Sequence, residues 1–153
     1  MVSPIYLVAA GLGGAFTLGL LRDQWRAAAY VITLCVLVFT SWIAASWTMA
    51  LASGSVETVE ILTAGTLPPF SVNLRLGLAE AALVLLINLT GLLSALYLKD
   101  TLFKQGRRAM AVLLIFSMAL SGIVMTRDLF NLFVFFELTV ISTGGLILLS
   151  RDE

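Results

Sequence analysis

One carboxylate, Glu137, stands in the middle of an apolar run that reads from Asp128 to Leu149. A helix of ~20 residues, rising about 1.5 Å per residue, covers a hydrocarbon core of about 30 Å. Glu137 then falls near mid-depth of a bilayer. A charged carboxylate there costs roughly 2.5–3.5 kcal/mol on insertion scales, and such groups usually face protein or water rather than lipid. Its neighbours three and four residues away are Phe133, Val134, Val140 and Ile141, which share its side of a helix. A carboxyl in surroundings this dry is suited to taking up and releasing a proton. The chemistry on offer is proton transfer or cation/proton exchange. The plainer role is a neutral acid that hydrogen-bonds a neighbouring helix.

Glu80 is the second candidate, near the start of the apolar segment over roughly 74–98 and five residues after Arg75. It reads either as an interfacial or ion-paired residue or as a second proton-handling group. Asp128 precedes the Glu137 run and is placed to cap it, accepting hydrogen bonds from free backbone N–H groups near Asn131. Its charge also suits a helix N-terminus. Asn88 and Thr90 are of the type that hydrogen-bonds between membrane helices. Ser117, Ser121, Ser142 and Thr143 either line a hydrated path or satisfy backbone carbonyls. The chain has no histidine and one cysteine, Cys35, which argues against zinc, haem and iron–sulfur sites. No cofactor and no metal site is expected. Gly11-Leu-Gly13-Gly14 is not a nucleotide-binding loop, because no strand precedes it.

The elements that must position these residues are membrane helices. The 153 residues are 60% hydrophobic, with a mean hydropathy of +1.05, more apolar surface than a soluble domain of this size hides. Net charge is zero, and nothing suggests nucleic acid. The fold class expected is all-α and polytopic, a single membrane domain with spans over roughly 4–21, 27–52, 74–98, 109–125 and 129–149. Residues 53–73 form the longest connection, with a turn at Pro68-Pro69. The connections after the first and third spans hold six of the nine Lys and Arg residues. With both on the cytoplasmic side, the N-terminus lies outside and Arg151-Asp-Glu153 inside.

The block Thr126-Arg-Asp128-Leu-Phe-Asn131-Leu-Phe-Val-Phe-Phe-Glu137-Leu-Thr-Val-Ile-Ser142 resembles a signature of antiporter-like membrane subunits. These are shared by Mrp-type sodium/proton antiporters, membrane-bound hydrogenases and respiratory complex I. The resemblance is closest to the D subunit of the Mrp-type complexes. The segment Gly65-Thr-Leu-Pro68-Pro69-Phe70-Ser-Val-Asn73-Leu resembles the loop that leads into that family's third helix. By this resemblance Glu137 matches the family's key glutamate on helix five, which pairs with a lysine two helices later. Many relatives carry an Asp-x-x-Ser pattern near the start of helix three, where this chain has Gly77 and Glu80.

Family members are far longer, built as two inverted helical repeats. This chain resembles their N-terminal five-helix portion, and no lysine lies inside any of its expected spans. The resemblance therefore implies a multisubunit cation/proton antiporter or ion-pumping complex in the cell (inner) membrane. Another membrane subunit would supply the remaining helices and the lysine facing Glu137, and the transported species would be protons, with Na+ open. A proton- or sodium-pumping oxidoreductase is one such setting. The alternatives are a non-catalytic structural subunit of a respiratory or hydrogenase complex, and a small transporter acting as a homodimer.

Overall fold

The computed structural model describes residues 2–62 and 73–151. The turn expected at Pro68-Pro69 and most of the loop resemblance lie outside the described residues, as do Asp152 and Glu153. Helix α1 covers Tyr6–Leu20 and α2 Arg26–Ala52, joined by a 3-10 turn. Strands β1 (Val59–Leu62) and β2 (Asn73–Leu76) follow. Helices α3 (Leu78–Tyr97), α4 (Lys99–Gln105), α5 (Arg107–Met125) and α6 (Leu129–Arg151) complete the chain.

Four helices, α2, α3, α5 and α6, are long and apolar enough to cross a membrane. Helix α1 has 15 residues and is shorter than the span expected over 4–21. Its segment still reaches from one end of the bundle to the other. At one end Trp47 Nε1 donates to Val2 O at 2.8 Å; at the other Arg107 Nη1 donates to Gly19 O at 2.6 Å. The architecture is an all-α, multi-pass membrane bundle.

The third span also begins later than its hydropathy suggests, at Leu78 rather than at residue 74. Residues 73–76 pair instead with β1, antiparallel, with Val59 opposite Leu76 and Leu62 opposite Asn73. Leu74 and Leu76 are buried while Asn73 and Arg75 are only partly so, the alternation a strand imposes. The same strand reaches the corner between α5 and α6: Leu74 bridges Thr126, and Arg127 N–H donates to Asn73 O at 2.9 Å.

Helix α5 is the axis of the bundle and packs against α1, α2, α3 and α6. Small residues allow the approach, since a Cβ on Gly11 would meet Met118 and one on Gly122 would meet Phe135. Gly106, between α4 and α5, has φ +78°, a left-handed conformation that glycine adopts without a Cβ penalty. The basic connections gather at one end of the bundle. Arg26 Nη1 donates to Phe103 O at 3.0 Å, and Arg107 reaches the last carbonyls of α1, where a cation also complements the helix dipole.

Candidate functional site

The site is built on α6, and its start follows from local sequence. Asp128 caps the helix: Oδ1 accepts the Phe130 N–H at 3.0 Å and Oδ2 accepts Asn131 Nδ2 at 2.8 Å. One oxygen thus satisfies a free backbone donor, and the other holds the Asn131 side chain, which is buried. Farther along, the hydroxyls of Thr139, Ser142 and Thr143 donate to the carbonyls of Phe135, Leu138 and Thr139. These residues therefore satisfy their own helix and offer no free donor to a path.

Glu137 lies eight residues beyond Leu129, about 12 Å up the helix axis. Its side chain is exposed and, among the described residues, makes no hydrogen bond or ion pair. Phe130, Phe133, Phe136, Val140 and Ile141 around it are exposed as well. The reason is position. In the α6 span 11% of residues are buried, against 56% in α5, so α6 is peripheral: it leans mainly on α5, with Gln105 Nε2 of α4 donating to Leu149 O at 2.8 Å. Phe135, Leu138, Ser142 and Gly145 make the inner stripe. The dry surround expected of Glu137 is thus an open apolar face, not a pocket within this chain.

Glu80 sits elsewhere and does different work. With α3 starting at Leu78, it falls in the first turn of the helix, shallower than its place in the apolar run suggested. Its Oε2 accepts the Gly77 N–H at 3.1 Å and its Oε1 accepts Arg127 Nη2 at 2.5 Å. Both oxygens are engaged, one in a capping bond and one in an ion pair. The cation is Arg127 of the α5–α6 corner, not the nearby Arg75. No sequence signal announces this pair, because 47 residues separate its members. The structure does not bring Glu80 to Glu137.

No protein-family model matches the chain, and no curated protein matches it either. A solved structure does. The chain is similar to a chain of the membrane-bound sulfane sulfur reductase (MBS), an archaeal respiratory membrane complex. The TM-score is 0.80 and the sequences are 26% identical, over 92% of this chain and 29% of that chain. This chain therefore spans under a third of the length of that neighbour. The likeness takes in the helical bundle and shows that its fold is shared with a chain of that respiratory membrane complex.

Helix α6 is apolar on nearly every side, with almost no amphipathic bias, as a membrane span is. Here it carries a mid-helix acid on the side that this chain leaves open. The arrangement can bind or release a proton at Glu137 and can hold an opposing cation there. Among the described residues, no second titratable group is paired with Glu137.

Proposed function

We propose that this chain is an antiporter-like subunit of a multisubunit ion-pumping or cation/proton-exchanging membrane complex, in which Glu137 takes part in proton transfer. The observation that carries this reading is the exposed, unpartnered Glu137 on the open apolar face of α6. Another membrane subunit covers that face and presents a lysine to Glu137. An ionised Glu137 holds the lysine ammonium; protonation of the carboxylate removes the attraction and frees the cation, which links proton arrival to charge movement. Burial of such a pair is tolerable only while both members are present. The 126–142 block supports assignment to the D-subunit type of the Mrp family, and the likeness to a respiratory complex chain supports the wider class. The two basic connections, gathered at one end of the bundle, face the cytoplasm on this reading, with the hairpin outside. The membrane is the cell (inner) membrane.

The test is Glu137→Gln in the complex purified from native membrane and reconstituted in vesicles. Assembly is expected to persist and proton-coupled transport to be lost. Transport at the normal rate would refute the role of Glu137. Failure of both Glu137→Gln and Glu137→Ala to assemble would make the residue a packing element of a structural subunit.

A further inference from the structure

We infer that the centre of the bundle binds one ordered water molecule, held between α2, α3 and α5. The apolar interior is divided into two clusters. One, around Leu18, Leu37, Met110 and Leu114, lies toward the basic end, and the other, around Leu7, Ile43, Val84 and Met125, toward the hairpin. In sequence Thr40, Asn88, Ser117 and Ser121 fall between them, and all four are buried.

Their hydrogen bonds do not close on one another. Asn88 Nδ2 donates to Val84 O at 2.8 Å and to Ser121 Oγ at 3.2 Å, and Ser121 Oγ donates to Ser117 O at 2.9 Å. Thr40 Oγ1 turns its hydrogen to the carbonyls of Val36 and Leu37, at 3.0 and 3.2 Å. Among the described residues, Asn88 Oδ1 and Ser117 Oγ make no hydrogen bond; each atom keeps a little accessible surface, although the two residues are only 3% and 4% exposed. Leaving such a group unpaired costs about 1–3 kcal/mol, and nearly all buried polar groups in folded proteins are paired.

Thr40, Asn88 and Ser117 line one cavity of about 10 Å³, with Leu114 and Met118 among its other walls. That is about one probe sphere, the size at which a cavity holds a single water, which needs 2–4 polar partners. Water matches the unmet valences. Its two O–H groups donate to Asn88 Oδ1 and Thr40 Oγ1, and it accepts the Ser117 hydroxyl. A metal cation fits poorly, since no carboxylate lines the cavity and a buried charge needs a counter-charge.

Gly91 and Ser117 also line a groove of about 250 Å³ between α3 and α5, with Thr90 and Ser94 on its wall. A Cβ on Gly91 would lie 2.8 Å from Ser117 Oγ, so the glycine keeps the partition beside Ser117 thin. This site does not depend on the role of Glu137.

X-ray radiolytic labelling of the complex from native membrane tests the site, because hydroxyl radicals formed from a bound water oxidise the side chains touching it. Met118 is expected to oxidise several-fold faster than Met110 and Met125, which are as deeply buried but do not line the cavity. Ser117→Val, or Thr40→Val where the first fails to assemble, should abolish that excess and leave the exposed Met49 labelled as before. Met118 oxidation no faster than that of Met110 and Met125 would overturn the proposal, as would an excess unchanged in an assembled variant.

Discussion

Glu80 and Glu137 are both carboxylates on apolar helices, yet their surroundings differ. Glu80 has its two oxygens occupied by Gly77 N–H and Arg127, whereas Glu137 is uncommitted. Substitution separates capping from charge at Glu80. Glutamine keeps the capping bond, and the lost ion pair with the half-exposed Arg127 is worth about 0–1 kcal/mol at a surface. Alanine also removes the cap, worth roughly 0.5–2 kcal/mol. Thermal unfolding in detergent should therefore rank wild type and Glu80→Gln close together and Glu80→Ala clearly lower. Transport should survive in Glu80→Gln; its loss without loss of stability would make Glu80 a proton-handling group after all. At this scale the sequence was informative wherever the partner is close along the chain. The Asp128 cap and the self-satisfied hydroxyls of α6 are local geometry. The Glu80–Arg127 pair and the leftover valences of Asn88 and Ser117 depend on how distant helices meet, and no local pattern encodes that.

The long helices declare themselves through length and hydropathy, since a run of ~20 apolar residues has few other uses. The short elements are hidden by the same signal. Asn73-Leu-Arg-Leu76 has the period-two alternation of a strand, but its leucines continue the apolar run of α3 and merge with it. Helix α4, Lys99–Gln105, is too short and polar to stand out from a loop. Packing between elements rests on single atoms. Gly122 faces the Phe135 ring so closely that an added methyl overlaps it, and overpacking of this kind costs about 1–3 kcal/mol. Gly122→Ala should lower the melting temperature of the complex by displacing α6 from α5. Phe135→Leu in the same chain should restore part of the loss, since contacting sites do not add. A melting temperature unchanged by Gly122→Ala would mean that α6 is not seated against α5 by this contact.

The whole molecule is asymmetric in its completeness. Helix α5 is enclosed, α1, α2 and α3 pack around it, and α6 is half covered. Cysteine placed at Phe133 or Ile141, in a chain whose exposed Cys35 has been replaced by alanine, should cross-link to another subunit in the intact complex. The product would be a band of summed mass containing both chains. Failure at both positions would show that the α6 face meets lipid. The multi-pass membrane setting is legible from composition and hydropathy. The openness of α6 is not, because an apolar sequence reads the same whether lipid, its own chain or a companion lies against it.

The open face of α6 also bears on how the protein is made and kept. On the proposed reading, a newly inserted copy holds a carboxyl within the bilayer until its companion docks, a costly arrangement for a polar group among acyl chains. Orphan copies should therefore turn over faster than assembled ones. Glu137→Leu should lengthen the half-life of the orphan in a pulse-chase experiment, and equal half-lives would show that surveillance does not read this residue. The acid proposed to move protons would then serve earlier in the life of the chain, as a mark of incomplete assembly that is erased when its companion arrives.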